Sequence, residues 1–312
     1  MGYIIVDLEF NNLKNITKYY EDFFEKNADL KSINLENEII EIGAIKVDKY
    51  MKPLGEMREY IKPTIFPIIN PKVTEITKID SNILEKKGIT FEEAINKLKD
   101  MFEDGDVLCS WAKDDVAEII INSNYHGYKD LNWLDSYLDI QEYASKILAH
   151  KKVLGLKTAL DELKIRVNEE RLHDALNDAF YTVEIFKRIY NSRIIKNHIV
   201  RDIYNMPAIN VSNLEQIEID MDKLQFKCPK CSRSVNLETS IELFNWRFAA
   251  IGRCSKCKNN ILFEIIVKKT LQGEIGYKEI SSQLKEDSYL DYMYKFDNIK
   301  ERKSWELCFM KI

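Results

Sequence analysis

No apolar run in these 312 residues approaches the roughly 18 needed to cross a bilayer, which excludes a membrane-spanning helix. Positive charge is not in excess. The 46 Lys and Arg stand against 51 Asp and Glu, and a net charge of −5 excludes a protein that coats nucleic acid through a global basic field. No basic leader precedes Tyr3–Val6, and Val6 sits where a myristoylation signal carries Ser or Thr, so no targeting signal is expected. Neither an internal repeat nor a low-complexity tract is present. Cysteine is sparse, but four of the six residues fall into two C-x-x-C pairs. Without a secretory signal these read as thiolate metal ligands in a reducing compartment, and the cytosol is the expected location.

What is present suits one large or two medium domains, with 45% apolar content ample for a core. Strands are predicted at Tyr3–Glu9, Glu38–Val47, Glu59–Ile61 and Val107–Ser110, with a turn near Met51–Gly55 and a fifth, buried strand at Leu131–Leu134. Thr90 and Glu93 form a capping-box pattern ahead of an amphipathic helix over Phe91–Phe102. Further helices are predicted to begin at Asp115 and to cover Ile140–Ala149, Leu156–Leu163 and Ala175–Tyr190. Three strands followed by alternating helix and strand give an α/β domain with a mixed sheet. Residues 11–37 are long for a connection, and the spacing of Tyr19, Tyr20, Phe23 and Phe24 predicts a helix packed on the surface, a lid or stacking element being the minority reading.

The acids come next. About two D-x-E triplets arise by chance in this composition, so Asp7-Leu8-Glu9 must be judged by its context. In a strand both side chains leave the same face. Burying two carboxylates beside Ile4, Ile5 and Val6 is costly unless cations neutralise them, and a hard divalent metal is the natural partner; a strand end reaching solvent is the alternative. His173 is one of only four histidines, and Asp178 lies five positions on. On one continuous helix the two would diverge by about 140°. They converge if the helix starts between them, with Asp174 as N-cap, although a histidine that merely precedes a capped helix remains open.

With these residues in order, the chain resembles the DEDDh 3′–5′ exonucleases of the ribonuclease-H-like superfamily, over roughly residues 1–192. Asp7-Leu8-Glu9 is similar to the first motif, and Ile39–Ala44 to the strand after it. Tyr60–Pro63 and Val73–Ile79 resemble the next stretch, with Lys78 in place of the usual Gly. Ser110-Trp111-Ala112-Lys113-Asp114-Asp115 resembles S-W-G-x-x-D, with Ala112 for Gly, which puts the acid at Asp115 rather than Asp114. His173–Ala179 resembles H-x-A-x-x-D-A, and the tryptophan of motif two is closest in flavour to the Eri-type and KapD-like enzymes, several of which act on RNA.

The resemblance implies a mixed five-stranded sheet flanked by helices. It implies that Asp7, Glu9, Asp115 and Asp178 hold two Mg²⁺ or Mn²⁺ ions about the scissile phosphate, with His173 as general base. Nucleoside 5′-monophosphates would leave from the 3′ end of single-stranded RNA or DNA, with RNA favoured by motif two. Phe10 and Trp111 are the candidate substrate contacts, an ordinary core Phe at position 10 staying open. A DNA repair or proofreading enzyme, and a non-catalytic nucleic-acid or protein adaptor on the same fold, are the alternatives.

Cys228-Pro229-Lys230-Cys231 and Cys254-Ser255-Lys256-Cys257 predict a Cys₄ zinc site, since about a tenth of one C-x-x-C is expected by chance. Strands predicted at Leu224–Lys227 and Ile261–Lys268 flank them in a zinc ribbon, with a disulfide pair the disfavoured alternative. Cys109 and Cys308 read as buried apolar cysteines. Between 225 and 260 seven basic residues stand against two acidic ones, with Trp246 and Phe248 close by. Three roles for the ribbon therefore stay open: a structural staple, a nucleic-acid grip and a protein-docking module. The expected layout is a catalytic domain over 1–200 with 11–37 inserted, a linker at 201–222, the ribbon at 223–274, and an aromatic segment over 275–312 packing on the rest. The oligomeric state is not legible.

Overall fold

The computed structural model describes residues 2–309 apart from 34, 169–172, 202, 204–208, 211–213, 215–216, 245 and 271–273, with side chains described up to 299 except at 209 and 210. The chain forms two compact units, one within Met1–Pro207 and the other within Ala208–Thr270 and Glu274–Ile312.

The first unit is built on β1 (Tyr3–Asn12), β2 (Asn37–Val47), β3 (Pro53–Tyr60), β4 (Val107–Ser110) and β5 (Tyr137–Asp139). The sheet order is β3-β2-β1-β4-β5, with β2 antiparallel to its neighbours and β4 and β5 parallel to β1. Alternation along β1 explains its place. Tyr3 and Ile5 share a face with Asp7 and Glu9, so the same face is apolar at the start of the strand and acidic at its end. Tyr3 and Ile5 pack in one cluster with Cys109, Leu138, Tyr143 and Phe186, and the Tyr3 and Phe186 rings meet edge-on at 5.2 Å.

Between β3 and β4 lie α2 (Pro71–Thr77), α3 (Ser81–Lys87) and α4 (Phe91–Asp100), preceded much earlier by a single turn, α1 (Phe23–Lys26). Both halves of the Thr90–Glu93 capping box are made on α4. Then come α5 (Lys113–Tyr125), α6 (Ile140–Ile147), α7 (Leu156–Glu162) and α8 (Ala175–Ile189), the last lying across β1 and β2. Lys78, standing where the related motif carries Gly, closes α2 in the left-handed region at φ 62°, the conformation glycine adopts without strain.

Three expectations are corrected. Leu131–Leu134 is a turn, closed by Leu134 N–H on Leu131 O, and the fifth strand falls at Tyr137–Asp139. Among the described residues, 11–37 hold no long helix: β1 runs on to Asn12, and α1 and two 3-10 turns follow before β2. Tyr19 and Tyr20 are exposed while Phe23 is buried, so the aromatic spacing does not mark one packed face. β3 begins at Pro53, so the turn is tighter than expected, with Met51 at φ 63°.

The second unit is an antiparallel sheet of β7 (Asn236–Leu237), β9 (Arg247–Arg253), β10 (Asn260–Lys269) and β11 (Ile275–Gln283), with β6 (Ile209–Asn210) on β10 and β8 (Glu242–Phe244) on β9. Leu224–Lys227 is no strand; only Lys227 bridges, to Ser234. One face of the sheet carries Phe226, Phe248, Phe263 and Ile265 with Cys228 and Cys254. The other holds Ala249, Ile251 and Leu262 against the fully buried Phe296 of α9 (Glu286–Phe309). The aromatic segment after 274 is thus a strand of this sheet plus a helix on its face. Much of the expected linker, and the side chains of Trp305, Cys308 and Phe309, lie outside the described residues; Cys109 is fully buried.

Gly43 on β2 faces Asp7 in register and supports the start of α8. A Cβ there would stand 2.2 Å from Ala175 C and Leu176 N. Gly43→Ala is therefore expected to destabilise the chain by about 2–3 kcal/mol, the upper range for overpacking, because the obstructing atoms are backbone. Urea unfolding measures this, and an unchanged midpoint would contradict the close packing.

Candidate active site

The parallel pairing of β1 with β4 stops at Val6 and Ser110, so Asp7 projects just past the end of β4, where the chain turns through Trp111 and Ala112 into α5. Crevices at the carboxyl ends of parallel strands are where α/β sheets collect functional groups. Asp115 enters from the first turn of α5, and Asp178 from the first turn of α8. Ala112 is extended (φ −129°), so its Cβ is accommodated without strain despite the glycine of the related motif.

Asp7, Glu9 and Asp178 each bring a carboxylate oxygen within 4.8 Å of the others. Asp115 stands outside that trio, yet its charge is the foremost of those acting on Asp7, ahead of Asp178, Glu9 and Glu41. Asp114 is not among them and lies exposed. Burial, then this mutual repulsion, pushes the Asp7 carboxyl well above the ordinary carboxylate range. Glu9 is pushed up to about 8 by burial and by Glu41, its partner across the β1–β2 register. Asp115 is likewise pushed up to about 8 by burial and then by Asp114, with a Ser110 hydrogen bond opposing. Asp178 is raised by burial, offset by the His173 backbone N–H, which donates to Asp178 Oδ2 at 3.1 Å.

Asp174 caps α8 as the sequence predicts, accepting from Asn177 N–H at 3.0 Å. His173 sits one residue outside the helix, exposed, with its backbone left-handed at φ 65°. Such a backbone is uncommon for histidine and is held here by the bond to Asp178. The five motif residues, including both members of the His–Asp pair, therefore lie at one end of the sheet.

Two neighbours were not singled out from the sequence. Glu41 is fully buried beside Glu9, and Arg58 Nε donates to its Oε1 at 2.6 Å. The same guanidinium reaches Asp174 Oδ2 at 2.5 Å and Tyr60 OH at 2.6 Å, while Ala175 N–H donates to Glu41 Oε2 at 3.3 Å. This clamp ties β2 and β3 to the first residues of α8 and neutralises a fifth acid behind the four. A glutamate flanked by Ile39, Ile40 and Ile42 was the only sequence signal for it.

The two candidate substrate aromatics differ. Phe10 is half-buried, at the point where the β1–β2 register shifts. Trp111 is buried in the main core with its indole N–H unpartnered, so it packs the domain rather than presenting a face to a ligand.

The residues fit divalent cations. Carboxylates that raise one another need positive charge to ionise together, and Asp178 Oδ1 is buried with no hydrogen-bond partner, an oxygen left over for a metal. The cysteines fit zinc. Four Sγ atoms lie within 4.8 Å of one another, against tetrahedron edges of roughly 3.8 Å around Zn²⁺. Cys231 Sγ and Cys254 Sγ stand 3.6 Å apart, too far for a disulfide.

The mixed five-stranded sheet, with its acid cluster where β1 passes the end of β4, is the arrangement the sequence motifs imply. The sequence model of the RNase_T family, described as Exonuclease, matches residues 4–186, more than half of the chain, and the chain belongs to that family. No curated protein matches it. Among solved structures, cell-death related nuclease 4 (CRN-4) is 14% identical at a TM-score of 0.47, covering 60% of this chain and 62% of its own. The nuclease domain of 3′hExo, a DEDDh family member bound to rAMP, is 15% identical at 0.47, over 63% and 92%. Exonuclease I is 15% identical at 0.47, over 63% and 44%. The chain spans about three fifths of CRN-4.

The raised carboxylates set a pH dependence. The folded chain holds these protons more tightly than the unfolded chain, whose Asp and Glu titrate near 4, so this contribution to stability is full below about pH 4 and is lost as pH rises through about 8. The melting temperature of the cation-free protein is expected to fall between about pH 5 and 8. Mn²⁺ should raise it more at pH 8 than at pH 5. Scanning calorimetry tests both, and an Mn²⁺ effect equal at the two values would be inconsistent with a cation held by these acids.

Proposed function

We propose that the chain is a metal-dependent 3′–5′ exonuclease that releases nucleoside 5′-monophosphates from single-stranded nucleic acid, RNA favoured by the tryptophan form of motif two. The observation carrying this reading is the convergence of Asp7, Glu9 and Asp178, with the Asp115 charge acting on Asp7, in a domain of the Exonuclease family. Two Mg²⁺ or Mn²⁺ ions supply charge neutralisation and a nucleophile at neutral pH. Asp7, Glu9, Asp115 and Asp178 are the residues that would hold them.

His173 takes the proton of the attacking water as general base; its exposed position lets the imidazole reach solvent and substrate, and its own N–H steadies Asp178. The Arg58 clamp keeps Glu41 from competing for cations and holds the start of α8. Half-buried Phe10, directly after Glu9, is the residue we assign to packing a terminal base. The four cysteines hold one structural Zn²⁺, a staple for a small sheet, and thiolate ligation suits the cytosol. Among the described residues no helix is long and apolar enough to cross a membrane.

A 5′-labelled, 3′-tailed RNA and its DNA counterpart, incubated with Mg²⁺, Mn²⁺ or no divalent ion, test the reading. Shortening from the 3′ end is expected only with metal. His173→Ala should slow it by about 10²–10⁴-fold, and Asp7→Ala should abolish it. Metal-independent cleavage, or cleavage surviving Asp7→Ala, would defeat the site assignment, and no shortening of either polymer would leave the adaptor reading.

A further inference from the structure

The two cysteine pairs are centres of the same backbone turn. Cys228 N–H donates to Arg233 O at 2.9 Å and Ser232 N–H to Cys228 O at 2.8 Å. In the second turn Cys254 N–H donates to Asn259 O at 3.0 Å and Lys258 N–H to Cys254 O at 2.8 Å. The residue after the second cysteine is left-handed in both, Ser232 at φ 57° and Lys258 at φ 60°.

The charges repeat with the backbone. Lys227 and Arg253 precede the first cysteine of each pair, Lys230 and Lys256 lie inside it, and Arg233 and Lys258 follow. All six are exposed. Among the described residues none of the six is in an ion pair, and neither 226–237 nor 247–263 contains an acid. Because the four sulfurs share one point, the turns gather all six cations at one end of the unit. Four thiolates and one Zn²⁺ sum to −2, so roughly four positive charges remain in excess.

The aromatic residues that share this stretch of sequence do not share this end. Phe248 is buried in the sheet core. Trp246 is exposed, but it adjoins Arg247 at the opposite end of β9 from Arg253, about 20 Å away along the strand. Arg247 lies over the Trp246 ring and pairs with Glu264, so it is not a free cation.

We propose that this doubled cysteine-turn end is a contact surface for the sugar-phosphate backbone of single-stranded nucleic acid, held by charge alone without base stacking. The choice of nucleic acid as the polyanion rests on the exonuclease reading above. Each phosphate contact on a single strand should contribute about 0.7 to the slope of log K against log salt.

The test uses the full chain carrying Asp7→Ala to block turnover, with and without Lys230→Gln, Arg233→Gln, Lys256→Gln and Lys258→Gln together. Bound zinc and melting temperature serve as folding controls. The probes are fluorescent oligouridylate and oligothymidylate of about 20 nucleotides, titrated between about 0.05 and 0.3 M KCl. The four substitutions are expected to lower the slope by about 3 and to weaken binding more than tenfold at about 0.1 M salt. Trp246→Ala should change neither. An unchanged slope with zinc retained overturns the proposal, as does tighter binding to phosphatidylserine vesicles than to either oligonucleotide. If the chain without Asp7→Ala shortens no polymer while the slope responds as expected, the exonuclease reading fails and the surface stands. If it shortens RNA or DNA and the slope does not respond, only the surface fails.

Discussion

Like charge crowded halfway along β1, where its pairing with β4 stops, is the constraint around which the first unit is arranged. Burial raises the Asp7 and Glu9 carboxyls, the Asp115 and Asp178 charges raise both further, and Glu41 adds a fifth carboxylate behind them. The surrounding structure answers that repulsion piece by piece. Arg58 neutralises Glu41, and the His173 backbone N–H binds Asp178. The helices α5 and α8 both begin here, so the positive ends of two backbone dipoles point toward the acids. None of these supplies a full counter-charge to the four. That deficit is one that divalent cations would fill.

Local rules made much of this site readable. A strand's period of two puts Asp7 and Glu9 on one face whatever the rest of the fold does. Capping preference places the α8 start at Asp174, which brings His173 and Asp178 to the same side of it. The choice of Asp115 over Asp114 came instead from the resemblance to S-W-G-x-x-D. Parts that depend on distant segments were less legible. The clamp joins residues 41, 58 and 174, and no window of sequence holds all three. β5 is three residues long, held by Leu108 to Ser110 on one side, and Leu131–Leu134 offered a more apolar run nearby. Trp111 belongs to a motif tied to chemistry, yet its neighbours are Leu138, Ile140 and the rest of the core. Motif membership says where a residue sits along the chain, not which way it faces.

The second unit shows the same division. C-x-x-C spacing announced the four thiolates because zinc chemistry constrains residues only a few positions apart. The sheet carrying them was harder to delimit, since β10 draws partners from residue 209, from β9 and from β11, separated by more than sixty residues. The stretch from 275 onward reads as an aromatic tail, whereas Phe296 closes the face of the sheet opposite the cysteines.

The pairing of β11 with β10 runs from Ile261 and Gln283 to Lys269 and Ile275. A chain cut at residue 274, beyond the last of the four clustered cysteines, would bare that whole flank of β10, a long run of unpaired amides and carbonyls on an apolar strand. Such an edge recruits other strands, so the shortened protein would be prone to self-association even with all four cysteines retained.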